Sequence, residues 1–398
     1  MARIAFCWEL GAGLGHIVPY IPLLKALHKE GHKLTLIAKD LSSVSYIRDA
    51  GIPFNLFQAP EKKWKSEDFA NKQISYSSII QNASVKDFDS CLSLVEGWRS
   101  IFLSVCPHLV IVESSPTALM ALKTIPNKIR TIITGTGFSI PPNRNPFPNL
   151  KPWIAQQTDF RKLEEDLLFI INKIMKYYRV HKLTKMSNLY DADFTILKTL
   201  PELDPYPNRN NPFYYGSWPS NEGENFEYKK GSRIFVYLNK KFLHQNTLML
   251  LLEALSTIKG INSVVYIEDL PNELKKKYSH PSIQYFDRPI NISKALGETH
   301  LAITHAGLNT TINFLLNGTP VLMIPEYLEQ FITAKLVDKM GCGMIMSSIH
   351  FPIKSNINIM ITLHKYRRNT MNFSEKYSGF FQEPLDRIII NKIHDLLG

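Results

Sequence analysis

The sequence predicts an α/β protein made of two halves, each a parallel sheet covered by helices. Three observations carry that reading. The opening Arg3–Ala38 reads strand, helix, strand, and such a unit makes a parallel sheet with a right-handed crossover. After a stretch rich in Pro, Gly and Asn at 205–231, a strand and a loop start the pattern again. The length of 398 residues has room for two to three domains of about 150 each. With 44% hydrophobic and 20% charged residues, the composition is ordinarily globular. Gly 19 and Pro 24 exclude collagen-like and low-complexity chains.

Taken in order, Arg3–Trp8 is a short apolar run and predicts a buried strand. A Gly-rich turn follows, then a helix over Ile17–Glu30, where Leu23, Leu24 and Leu27 recur at helical spacing and Gly31 stops the chain at C′. Lys33–Ala38, Leu109–Val112 and Thr131–Thr134 predict further strands, and Phe160–Lys185 a helix with a broad apolar face. The stretch at 205–231 is punctuated like a linker. Beyond it come strand Ile234–Leu238, a helix around Leu248–Ile258, strands Ser263–Ile267 and Leu301–Thr304, helix Thr310–Asn317 and strand Pro320–Ile324. The tail Phe373–Leu397 ends in a helix carrying Leu385, Ile388, Ile389, Ile390 and Ile393, an apolar face with the first half as its candidate dock.

Lys and Arg number 46 against 35 Asp and Glu, a net charge of +11. Residues 1–215 hold 26 cations and 19 anions (+7), and residues 216–398 hold 20 and 16 (+4). The excess is spread out, so no nucleic-acid partner is expected. The runs Lys62-Lys63-Trp64-Lys65 and Lys275-Lys276-Lys277 read as solvated faces, with weak peripheral membrane contact left open. Cys7, Cys91, Cys106 and Cys342 show no CxxC spacing and read as free thiols. No signal peptide or membrane-spanning run stands out, so a cytoplasmic location is expected.

The segment richest in chemistry is Thr304-His305-Ala306-Gly307-Leu308-Asn309-Thr310-Thr311, followed by Gly318-Thr319-Pro320 and Pro325-Glu326-Tyr327-Leu328-Glu329-Gln330. It reads as a strand end, a tight turn and a helix N-terminus, where free amides and the helix dipole favour an anion. Asn309, Thr310 and Thr311 add side-chain donors, and His305 adds another, cationic when protonated. Glu329 and Gln330 set a carboxylate beside an amide, a pair suited to sugar hydroxyls.

This segment resembles the donor-binding signature of the UDP-glycosyltransferase superfamily, family-one inverting enzymes of GT-B fold. The matching positions are His305, Gly307, Thr310, Gly318, Pro320, Pro325, Glu329 and Gln330, with Asn309 as in the plant version. The resemblance implies two Rossmann-like domains facing across a cleft: 1–215 for the acceptor, a linker at 216–230, 231–370 for the nucleotide-sugar donor, and a helical segment 371–398 packing back on the first domain. It implies that His305, Ala306, Gly307, Asn309, Thr310 and Thr311 hold the diphosphate and Glu329 and Gln330 the sugar. Three positions depart from the family: Ala306 for a second Gly, Asn313 for a ribose-binding Glu, and Phe286-Asp287-Arg288-Pro289 for the base-stacking Trp. Arg288 is placed on the donor side. Lys240, after strand Ile234–Leu238, stands where the family has a Gly-Ser turn and supplies charge instead.

The first loop, Gly11-Ala12-Gly13-Leu14-Gly15-His16, allows close approach of backbone to a ligand; Gly13 and Gly15 are counted with the donor contacts. Imidazole suits general-base chemistry near neutral pH. The resemblance implies that His16 deprotonates the acceptor, with Glu113 at the next strand end to orient it. Expected, then, is an inverting transferase that uses no metal and no cofactor beyond its co-substrate, by first expectation a UDP-sugar. The acceptor is expected to be an apolar or aromatic small molecule or a lipid, met by Trp64, Phe69, Tyr76, Phe88, Trp98, Phe138, Phe147 and Trp153. Two rivals stand: a non-catalytic nucleotide-sugar-binding protein, and an NAD-dependent oxidoreductase reading the first loop as GxGxxG, with Asp40 29 residues beyond Gly11.

Overall fold

Among the described residues, twelve short strands form two six-stranded sheets, and both are parallel throughout. The computed structural model describes residues 1–11, 13–61, 74–154, 158–217, 223–224, 226–227, 232–346, 352–380 and 385–398. The chain divides into two units, Met1–Tyr215 with Glu383–Gly398, and Gly216–Gln382.

In the first unit β1 (Arg3–Trp8), β2 (Lys33–Ala38), β3 (Asn55–Gln58), β4 (Leu109–Glu113), β5 (Arg130–Gly135) and β6 (Phe194–Leu197) lie in the order β3-β2-β1-β4-β5-β6. In the second, β7 (Ser232–Asn239), β8 (Ile261–Glu268), β9 (Ile283–Phe286), β10 (Leu301–Thr304), β11 (Val321–Met323) and β12 (Gly343–Ile345) lie in the order β12-β11-β10-β7-β8-β9. Both are the doubly wound order 3-2-1-4-5-6, which reverses between the first and fourth strands and opens a crevice beyond their carboxyl ends. The inner strands are apolar on both faces because helices cover both: every residue of β4 and β10 is buried.

The predicted strands are all present, with ends shifted by at most two residues. The strands not predicted are β3, β6, β9 and β12, the four sheet edges. The helix expected over 17–30 begins only at Ile21; Leu14–His16 and Val18–Tyr20 are 3-10 turns, with Pro19 at the second position of the second. The helix expected to Lys185 stops at Tyr177. There Arg179 takes φ 57° and the Val180 amide bonds the Met175 carbonyl at 3.0 Å, a Schellman stop made without glycine.

Residues 371–382, expected with the returning tail, stay in the second unit. Helix His364–Lys376 lies against helix Leu308–Leu316, with the Thr370 hydroxyl donating to the Gly318 carbonyl at 2.9 Å. Helix Leu385–Leu397 does join the first unit, on helix Ile21–Lys29. Its Ile389 and Ile393 are buried, and His394 Nε2 meets Glu30 Oε2 at 2.8 Å. The Leu385 side chain lies outside the described residues.

The described part of the expected linker is no free tether. Ser217 donates to the Asn309 carbonyl at 3.2 Å, Glu224 bridges to Ile290, and Phe226 packs edge-on against Phe286. Among the described residues, no helix is long and apolar enough to cross a membrane.

Candidate active site

Parallel register places Trp8 beside Glu113, and Glu113 beside Thr134, so β1, β4 and β5 end together. The chain leaves β1 through the Gly-rich loop and returns His16 over that edge. His16 Nδ1 meets Glu113 Oε2 at 2.7 Å, with the His16 side chain 19% and the Glu113 side chain 2% exposed. A carboxylate oxygen accepts, so Nδ1 carries the proton and Nε2 is the basic nitrogen. The imidazole stacks on the Trp8 indole, with centroids 5.1 Å apart and planes at 12°. A Cβ on Gly11 would sit 2.2 Å from His16 Nε2, and Gly11 has φ 91°, so only glycine fits there. Gly13 (φ 87°) and Gly15 have no atom within 4 Å of where a Cβ would sit, which leaves open space above both.

Two lysines hold this loop. Lys39 Nζ donates to the Gly11 carbonyl at 3.1 Å, and Lys198 Nζ reaches the Gly15 carbonyl at 3.4 Å while lying 4.0 Å over the Tyr20 ring. Sequence reasoning missed both. Lys39 follows β2 directly and could have been found there; Lys198 follows β6, an edge strand with no apolar run to reveal it. Also missed was Glu9, buried beside β1, which accepts from the Thr117 amide at 3.0 Å and the Ser84 hydroxyl at 3.2 Å. Burial pushes its carboxyl up to about 7.

In the second unit the corresponding edge joins β7, β10 and β11. His305, buried, spans all three: its Nδ1 faces the Ile324 carbonyl at 2.7 Å, and the Asn239 amide donates to its Nε2 at 2.9 Å. A carbonyl only accepts, so Nδ1 carries the proton and the ring is neutral. Burial also pulls its pKa below the ordinary histidine value. The cationic donor expected at His305 is therefore opposed, and the ring stitches strand ends together instead.

The positive φ of the next turn falls on Ala306 (59°), not on Gly307 (−58°). Gly307 is the N-cap of helix Leu308–Leu316; no side chain caps that end, and no atom lies within 4 Å of where its Cβ would be. Thr310 is half-buried at this open end, and Asn309 accepts from the Ser217 hydroxyl through Oδ1. Thr311 is fully buried and its amide bonds the Gly307 carbonyl at 2.9 Å, so it turns away from the cradle. Lys240 is half-buried in the 3-10 turn after β7. Glu329 is half-buried in the first turn of helix Leu328–Lys339, while the buried Gln330 accepts from the Glu326 amide at 3.0 Å. Arg288 is exposed, and Phe286 is engaged by Phe226.

Of the aromatics expected around an acceptor, Tyr76, Trp98 and Phe147 are core residues, Phe88 and Phe138 are half-buried, and Trp153 is exposed; Trp64 and Phe69 lie outside the described residues. Asp40 caps its own turn, accepting from the Ser42 amide at 2.9 Å, so it does not serve the dinucleotide reading. One described group is close enough to hold a metal, Glu30, His32 and His394. It lies where the last helix docks. His32 Nδ1 there accepts from the Ala2 amide at 3.2 Å, whereas a metal-binding ring donates its second N–H.

Comparison with known proteins agrees with this geometry. Residues 231–376 match the glycosyltransferase family 28 C-terminal domain. The UDP-glucuronosyltransferase 1-2 of Mus musculus is 20% identical over 425 residues, 92% of this chain and 77% of that protein. These matches support a place for the chain in the UDP-glycosyltransferase superfamily. The NDP-glycosyltransferase YjiC of Bacillus subtilis is 27% identical over 89 residues; that match spans 22% of this chain and only 20% of the relative. The glycosyltransferase VinC, solved in complex with DTDP, is 14% identical and covers 99% of both chains at a TM-score of 0.70, a likeness that shows the GT-B fold.

Glu9 gives this glycosyltransferase relative a pH signature. Its folded value, about 7, lies above the free value of 4.5, so the neutral form is the one folding favours. The stability it contributes is full below pH 4.5 and is lost as pH rises through 7, roughly 3 kcal/mol at most. Denaturant titrations of Glu9→Gln at pH 5 and pH 8 should show that pH-dependent loss reduced.

Proposed function

We propose that this protein is an inverting, metal-independent glycosyltransferase that moves a sugar from a nucleotide-diphospho-sugar to a hydroxyl of a small-molecule or lipid acceptor. A UDP-sugar is the first expectation for the donor, and the complex of VinC with DTDP makes a dTDP-sugar the second. The observation that carries the proposal is the hydrogen-bonded pair of His16 and Glu113 at the switch point of the first unit. It supports a base whose proton-bearing nitrogen is fixed and whose other nitrogen is basic.

In this reading the first unit binds the acceptor. His16 Nε2 takes the hydroxyl proton as the oxygen attacks the anomeric carbon and the bond from that carbon to the diphosphate breaks. Glu113 orients the ring and balances the imidazolium, as a carboxylate does beside a catalytic histidine. The second unit binds the donor. The uncapped N-terminus of helix Leu308–Leu316, with Thr310 and Lys240, takes up the charge that collects on the departing diphosphate. That is the work a divalent cation does in other transferases. Glu329, and the amide of Gln330 not used by Glu326, face the sugar. His305 acts indirectly, by holding the strand ends from which the cradle rises. A cytoplasmic site of action fits free thiols at Cys7, Cys91, Cys106 and Cys342.

Three measurements test the proposal. His16→Ala should lower turnover about 10²–10⁴-fold with donor binding unchanged. Glu113→Gln should cost less, because it displaces an orienting partner and leaves the ring in place. Thr310→Val should weaken UDP- or dTDP-sugar binding in calorimetry about tenfold, through loss of a charge-assisted bond worth roughly 1–2 kcal/mol. Turnover should persist in excess EDTA; loss on chelation, restored by Mg²⁺ or Mn²⁺, would assign the leaving-group charge to a metal.

A further inference from the structure

Helix Phe160–Tyr177 buries Leu163, Leu167, Ile171, Ile174 and Met175 in the first unit's core. Its opposite face breaks the usual rule for solvated helices. Phe169 is 63% and Tyr177 57% exposed, both far outside that core. At 3.6 residues per turn, Phe169, Lys173, Lys176 and Tyr177 fall within roughly one third of the circumference and all four are exposed; on the same arc nearer the helix start, Lys162 and Asp166 pair with each other and add no net charge. The charge along the chain is one-sided. Lys173, Lys176, Arg179, Lys182 and Lys185 follow one another with no Asp or Glu from Leu167 through Tyr190. Lys173 Nζ lies over the Phe169 ring, 4.4 Å from its centre. On the neighbouring helix Phe88–Val105, Arg99 sits 4.0 Å over Tyr178, and Leu103, one turn further on, is 55% exposed. Glu96 on the same helix also faces Tyr178, so Glu96 and Arg99 offset each other there and the surplus cations are those of the Lys173–Lys185 stretch.

We infer that the C-terminal half of this face, with Phe169 and Tyr177 beside Lys173, Lys176 and the cations that follow them, docks on an anionic lipid surface. Ring side chains with a polar tip settle at the headgroup level, and phenylalanine gains by entering the acyl boundary. Lysine stems lie along apolar surface while their ammonium groups stay with the lipid phosphates. A nucleic-acid strand would be served by the same charges, but Phe169, Tyr177 and Leu103 supply apolar area that a phosphodiester backbone does not reward. The inference concerns residues that belong to neither strand-end cluster, so it does not rest on the proposed transferase activity.

The test is flotation of the full chain with phosphatidylglycerol–phosphatidylcholine vesicles and with pure phosphatidylcholine vesicles, at low and high salt. Binding is expected only to the anionic vesicles and to fall with salt. Lys173→Gln with Lys176→Gln should weaken it about 25-fold, since one cation near such a surface is worth about fivefold. Phe169→Ser should weaken it further without changing the melting temperature, because the ring is outside the core. The exposed pair Lys294→Gln with Lys354→Gln removes the same net charge from the second unit and should leave binding nearly unchanged. A tryptophan at position 177 should shift its emission to the blue on anionic vesicles. Equal loss in the Lys294/Lys354 variant, equal binding to pure phosphatidylcholine, or retention on heparin without binding to vesicles would each overturn the inference.

Discussion

The parallel register of β1 against β4 is the constraint on which the first unit's chemistry depends. It brings Trp8 and Glu113 level at one edge of the sheet, and the loop between β1 and the first helix then needs only a few residues to lay an imidazole over both. A strand slip of one residue would turn Glu113 to the other face of the sheet. The bulk that fixes the register lies elsewhere: β4 is buried along its whole length, and β1 everywhere after Arg3. The 2.7 Å contact of His16 with Glu113 is thus aimed by apolar packing that never touches a ligand.

The second unit repeats the topology and reverses the use of its histidine. His16 gives one nitrogen to a side chain and keeps the other basic. His305 gives both to main chain, joining β7, β10 and β11. The difference follows from burial and from what each ring faces. A carboxylate on one side leaves the far nitrogen of His16 without a main-chain partner; a carbonyl and an amide on opposite sides of His305 leave a neutral cross-brace. The same switch point therefore holds a carboxylate-paired ring in one unit and a ring braced by main chain in the other.

The inner sheets were legible because they are apolar on both faces and bounded by glycine or polar turns. β1, β2 and β10 match their predicted limits residue for residue. The edges were not. Asn55–Gln58 and Ile283–Phe286 are half-buried at best, so no continuous apolar run marks them. Helix ends failed where an unusual residue did the stopping, as Arg179 does in place of glycine. At the strand ends, residue types and spacing pointed to His16, Glu113 and the Asn309–Thr310 turn. They could not show that Thr311 faces inward, or that Trp98 and Phe147 are core rather than surface, because both depend on which way a helix or loop is rolled. Lys198 and Glu9 were hidden for the same reason: their roles come from partners far away in sequence.

The first unit is assembled from two separated stretches of chain, and this has a consequence for synthesis. Its last helix, carrying Ile389 and Ile393, follows the whole of the second unit, residues 216–382. Those are 382 − 215 = 167 residues, and at 5–20 residues per second a ribosome needs roughly 8–33 s to make them. For that interval the nascent first unit holds helix Ile21–Lys29 without its covering helix, an apolar seam open to chaperones or to another nascent copy. Completion of the second unit comes first, and closure of the first waits on the final turns of the chain.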